Sequence, residues 1–310
     1  MARKFKITCD MNEDQIEKDV SAYVGFVNGV IGSRFRLEST DEPHTGADAK
    51  VIQGGALFYI QYKSPVGLES TSRVPLTVKK ANEEYQKIRR FRKEKNLRED
   101  PYSLCFKLRQ PQKPGDPLQH NVLFGYEKPP TSRAFYVAPT ILNAEEYTNQ
   151  LQDRRPVEIY RELFYFREYQ AVHRPNFVRL MLQKIPFLRG HISIVPHQIV
   201  QSHEHYYSYS KYANDLAYHS PEVLYAGAER LSDFLAKELS QLFVSTEHLR
   251  PLDVLLASAF EMAPDDIKEE LGRPGSDDQY RWLRSHGRIL RQRYGISQYF
   301  LADFGEIEGR

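Results

Sequence analysis

The stretch that most limits how this chain can fold is Phe58-Tyr59-Ile60-Gln61-Tyr62-Lys63, together with the Gly54-Gly55 pair before it and Thr45-Gly46-Ala47-Asp48 upstream. Two β-prone runs joined by two glycines predict a β-hairpin, because a tight two-residue turn needs positive φ and glycine adopts it without steric cost. With Gln53 paired to Ala56, counting back along both strands sets Asp48 opposite Gln61. Lys63 then shares their face, within diagonal reach at roughly 7–8 Å between Cα atoms. The spacing predicts a carboxylate, a carboxamide and an ammonium group turned towards one point.

These residues resemble the PD-(D/E)xK nuclease superfamily, in the variant where Gln replaces the second acid, as in Mrr-type restriction endonucleases. The resemblance covers about the first third of the chain. It implies that Asp48 and Gln61 bind a divalent metal and that Lys63 helps to activate water. A glutamate on the preceding helix often joins them in the family. Its match is Glu17 in Ile16-Glu17-Lys18-Asp19-Val20, with Glu13 as the fallback. Phosphodiester hydrolysis needs a deprotonated water, a Lewis acid on the phosphate and charge relief on the leaving oxygen, all of which a divalent ion supplies. Magnesium (or manganese) takes hard oxygen donors, so Asp48, the Gln61 amide oxygen, the Tyr62 main-chain carbonyl and Glu17 form the expected set. Because Gln61 carries no charge, a second carboxylate becomes a requirement. The plainer reading of the same residues is an exposed cross-strand ion pair beside an ordinary hairpin.

Periodicity and turn chemistry predict the order helix, three strands, helix, strand. A first helix follows Asp10-Met11-Asn12-Glu13, with Ile16, Val20, Tyr23, Val24, Val27 and Ile31 at helical spacing. Phe35 and Leu37 alternate with charged residues as a strand, and the glycine hairpin supplies two more. Pro75 to Arg98 reads as a long charged helix, and Leu104, Phe106 and Leu108 as a fourth strand. The expected fold is thus α/β, a restriction-endonuclease-like αβββαβ core with a mixed sheet over residues 1–153. Ala134 to Ala138 extends the sheet, and a helix starts at an Asn143 cap. Residues 154–306 read as a mostly helical portion packed on the core, with a strand at His191 to Val195 and a helix start at Ser220-Pro221. Ile307-Glu308-Gly309-Arg310 spells a common engineered protease-cleavage sequence and is set apart from the fold.

The chain has 310 residues, enough for a real core, and a formal charge of only +2, so any nucleic-acid surface must be local. The long helix supplies a candidate in Lys79, Lys80, Lys87, Arg89, Arg90, Arg92 and Lys93, a run that could track phosphates or form a solvated helix face. Tyr206, Tyr207, Tyr209 and Tyr212 read as packing residues ahead of base-stacking ones. His203-Glu204-His205 lacks zincin spacing, since Tyr207 stands where the second histidine belongs, and a structural histidine cluster is favoured. His120-Asn121 and His219-Ser220 are auxiliary candidates near a cleft.

Two cysteines cannot build a disulfide framework, and neither a signal peptide nor a membrane span is expected. The expectation is a cytoplasmic nuclease acting on DNA ahead of RNA, in a restriction or antiviral defence setting, with a second copy of the chain as a candidate partner. The competing expectation is a binding or assembly protein that keeps the nuclease-like fold and cuts nothing.

Overall fold

The computed structural model describes residues 5–30, 35–40, 54–74, 83–153, 155, 182–220, 222–224, 228–244, 249–275 and 279–303. In chain order, β1 (Lys6–Thr8), α1 (Glu13–Val30), β2 (Phe35–Ser39), β3 (Gly54–Tyr62), β4 (Val66–Glu69), α2 (Glu83–Glu94) and β5 (Tyr102–Lys107) come first. Then follow α3 (Gln119–Gly125), β6 (Ser132–Pro139), α4 (Ala144–Gln152), α5 (Pro186–Arg189), β7 (His191–Ile194), β8 (Tyr206–Ser210), β9 (Leu216–His219), β10 (Glu222–Leu224) and β11 (Ala228–Arg230). The chain continues through α6 (Leu231–Val244), α7 (Leu252–Met262), α8 (Asp265–Leu271), α9 (Gln279–Ile289), a π-helical segment (Leu290–Tyr294) and β12 (Ser297–Asp303).

The protein is α/β, with two six-stranded sheets. One, in the order β1-β4-β5-β8-β9-β10, is antiparallel throughout. The other, β11-β7-β6-β3-β12-β2, is mixed, because β3 and β6 run parallel with Gln61 beside Tyr136. Both sheets take strands from either side of residue 153, and the later half of the chain supplies β7 to β12 as well as helices. The expected boundary between a core and a mostly helical portion therefore does not follow the sheets.

Three local expectations are corrected. Gly54 and Gly55 are not a turn but the first residues of β3, paired with Asp303 and Ala302 of β12. A Cβ at Gly55 would collide with the Leu301 carbonyl and the Phe300 ring, so glycine here allows a close strand approach. Leu104 to Leu108 corresponds to β5 of the antiparallel sheet, whereas the parallel neighbour of β3 is the strand expected at Ala134 to Ala138. Ser220 starts no helix, because Glu222–Leu224 pairs with β9 and the following helix begins at Leu231.

Other elements follow their local chemistry. In α1, Ile16, Val20 and Tyr23 are buried along one face, and Asn12 caps the helix by accepting from Gln15 N at 2.8 Å. Asp10 instead accepts from Ala144 N at 3.0 Å, at the start of α4, where Asn143 caps Glu145 N at 2.9 Å. The charged helix ends at Glu94, and Asn96 adopts φ 53°, a left-handed residue that closes helices.

Candidate functional site

Strand β3 separates two environments by simple alternation. Phe58, Ile60 and Tyr62 line an apolar cavity with Val20, Val24 and Leu235, on the side covered by α1 and α6. Tyr59 and Gln61 point the other way. Tyr59 stacks on Tyr126 with ring centroids 4.2 Å apart, and the Gln61 amide donates to Gln119 Oε1 on α3. The pairing with β6 continues one residue past the strand, through Lys63 N to Val137 O at 2.8 Å.

The Gln61 and Gln119 side chains are 1% and 3% exposed, and they make one mutual hydrogen bond. Gln61 Oε1 and Gln119 Nε2 are left without partners among the described residues. Such atoms are costly to bury and ordinarily find a partner in protein, water or ligand. Lys63, 3% exposed, meets the half-exposed Glu13 at 3.5 Å. Burial lowers the Lys63 pKa below its ordinary 10.5; the Glu13 carboxylate opposes that shift and the Arg109 guanidinium adds to it.

Glu17 occupies a different corner. Its oxygens meet Arg291 Nη1 at 3.0 Å and Nη2 at 3.1 Å, and Ser297 Oγ donates to it at 2.6 Å. Ser297 is the ladder partner of Ile60, which places Glu17 on the α1 side of the sheet with the Tyr62 and Tyr299 hydroxyls. The carboxylate that the fold brings to Lys63 is Glu13. Asp48 lies outside the described residues, as do Lys79 and Lys80.

The basic helix divides by face. Arg89 and Arg92 are buried, so they do not belong to a phosphate-facing stripe. Arg89 donates to the Val74 carbonyl and lies 4.5 Å from the Phe5 ring centroid, while Arg92 pairs with Asp215. Lys87, Arg90 and Lys93 remain exposed on the outer face.

The described histidines that the sequence singled out have partners. His120 bridges Tyr136 Oη and the Gln198 carbonyl, both at 2.8 Å, and burial pulls its pKa down to about 4. His219 meets Ser208 Oγ at 2.9 Å. His203 pairs with Glu204 at 3.0 Å. Tyr206, Tyr207 and Tyr209 are buried in β8, and Tyr212 is exposed. Among the described residues no three His, Cys, Asp or Glu side chains gather as a metal-binding group. No described helix is long and apolar enough to cross a membrane.

Sequence reasoning missed Gln119, Arg109, Arg291 and Gly295. Gln119 had a faint signal as the neighbour of His120, whereas the others become neighbours of the site only through contacts far apart in sequence.

No family model, curated protein or solved structure matches this chain.

Proposed function

We propose that this protein is a metal-dependent phosphodiester hydrolase, a nuclease with a restriction-endonuclease-like core that acts on DNA in a restriction or defence setting. The observation that carries the reading is the buried Gln61 Oε1, without a partner among the described residues and two positions before a buried lysine. An amide oxygen in that state fits a hard divalent cation, Mg2+ or Mn2+, better than it fits a finished protein core. Gln61 and the main-chain carbonyl of Tyr62 would hold the ion; the family resemblance adds Asp48, although the ladder sets Tyr136 and not Asp48 beside Gln61, and Glu13 is the carboxylate paired with Lys63. When bound, the ion supplies Lewis acidity and a more acidic water. Lys63 orients the attacking water or meets charge developing on the phosphate oxygens, in surroundings dry enough for its field to count. Glu13 holds the Lys63 ammonium in place, and Gln119 holds the Gln61 amide by its nitrogen so that its oxygen stays free.

A second reading is favoured by a separate observation. Gln61 and Lys63 are almost fully covered, and Glu17 is engaged by Arg291 and Ser297. Those features suit a nuclease-like binding or assembly protein that cuts nothing.

Cleavage of single- and double-stranded DNA and RNA in Mg2+ or Mn2+, by wild type, Asp48→Ala and Lys63→Ala, separates the two. The nuclease reading expects metal-dependent cleavage that falls by about 10²–10³-fold in either variant while the fold is kept. Equal cleavage by all three proteins places the activity elsewhere. Failure of every substrate with folded wild type puts the binding reading ahead.

A further inference from the structure

Beyond Lys107 the chain keeps one more ladder bond, Leu108 N to His205 O at 3.0 Å, and this delivers Arg109 to the end of the antiparallel sheet. The loop that follows is tied to the π-helical segment by Gln112 Nε2, which donates to the Gln292 carbonyl at 2.9 Å. That segment closes on Gly295, whose φ of 61° is left-handed and whose N donates to Arg291 O at 2.9 Å. A Cβ at Gly295 would collide with Arg109 Nη1 and stand 3.2 Å from Gln119 Nε2. Glycine thus makes room for the Arg109 guanidinium, and the Gln119 amide nitrogen lies beside it.

The charges there do not balance. Arg109 lies close enough to Lys63 to repel its ammonium group, and Arg109 forms no ion pair among the described residues. Glu13 is the carboxylate paired with Lys63. Gln119 Nε2 adds a donor without an acceptor on a side chain only 3% exposed. A guanidinium without a carboxylate partner among the described residues, side by side with an orphan amide donor, makes a place for an anion with several acceptor oxygens.

We propose that Arg109 and Gln119, gathered beside Gly295, form a phosphate-binding corner that takes a backbone phosphodiester of nucleic acid through the side chain that holds Gln61. The choice of nucleic acid rests on the nuclease reading, whereas the need for an anion rests on the donors themselves. Arg109 supplies a planar fork and Gln119 a neutral donor. Contacts of this kind position the backbone and carry no sequence information.

The test is binding without chemistry: fluorescence anisotropy of a labelled DNA duplex and its single strand, in EDTA, across a salt series. Arg109→Ala should weaken binding about 10-fold and lower the slope of log K against log salt by about 0.9. Gln119→Glu, nearly equal in volume, should weaken it at least as much by repelling the phosphate. Arg109→Lys keeps the charge and should keep the slope, which a purely structural role of Arg109 would not require. Unchanged affinity and slope in both Arg109→Ala and Gln119→Glu would overturn the inference. So would wild type that binds neither DNA form, or that binds inorganic phosphate in calorimetry but no DNA. Wild type that binds DNA with the expected slopes yet cuts nothing in Mg2+ leaves this inference standing and removes the nuclease reading, so the two failures are distinguishable.

Discussion

Arg92 beneath the antiparallel sheet and Lys63 at the end of β3 are both buried cations, and their surroundings differ in kind. Arg92 is 0% exposed and donates to the Asp215 carboxylate, to Arg98 O at 2.7 Å and to Ser208 Oγ at 3.2 Å. Its Nε alone lacks a partner. The acceptor Ser208 is itself bonded to His219, which packs edge-on against Phe91 with centroids 5.2 Å apart. Lys63 has one carboxylate at 3.5 Å, on a half-exposed side chain, and a second cation beside it. Burial of charge is common to both, so burial by itself says little about function. What separates them is satisfaction: the arginine is enclosed by acceptors, whereas the lysine has a single, half-exposed carboxylate.

The largest effect expected from this contrast is on stability at Arg92. Asp215→Ala leaves a buried guanidinium without its counter-charge and should cost about 3–5 kcal/mol in urea unfolding followed by circular dichroism. A loss below about 1 kcal/mol would break the comparison, since Arg92 would then be no better supported than Lys63.

Lys63→Met should behave in the opposite way, altering stability at neutral pH by about 1 kcal/mol or less, or raising it, because it removes a poorly compensated buried charge. The pH dependence sharpens the point. The Lys63 pKa lies below 10.5 in the folded chain, so between the two values the unfolded chain binds a proton that the folded chain does not. Wild-type stability should therefore gain a contribution as pH rises through that window towards 10.5, and lose it as pH falls. Denaturation midpoints measured across alkaline pH should show this slope in wild type and a flatter one in Lys63→Met.

The smallest effect is expected where two partners are replaced together. Gln61 and Gln119 exchange one hydrogen bond and leave one acceptor and one donor unsatisfied. Changing both to Met should keep stability within about 1 kcal/mol of wild type, because the desolvation cost disappears along with the bond. Thermal melts showing a loss several times larger would mean that this amide pair is as structural as the Arg92 network.

Much of the local structure was legible without coordinates. Asn143 sits where a cap is needed, and Glu145 N and Glu146 N donate to it at 2.9 and 3.0 Å. The spacing of Ile16, Val20 and Tyr23 announced the buried face of α1. Alternation alone predicts Gln61 and Lys63 on one side of β3; the strand ends at Tyr62, and Lys63 pairs with Glu13 at the start of α1. The Gly54-Gly55 pair was misread because a glycine pair suits a tight turn and a crowded strand crossing equally well, and only the Leu301 carbonyl and Phe300 ring distinguish them. The basic helix was read as one charge run, yet Arg89 and Arg92 turn inward because Val74, Asp215 and Ser208, remote in sequence, offer them acceptors.

Sequence by itself determined which residues share a face, because a strand repeats every two residues and a helix every 3.6 whatever they pack against. Tertiary structure decided what those faces meet. β12 enters between β3 and β2, Glu17 is drawn to Arg291 and Ser297, and Arg109, Gln119 and Gly295 come together. The physical reason is that strand pairing and the dressing of buried charge depend on contacts between distant parts of the chain, whose partners leave no periodic mark in either segment.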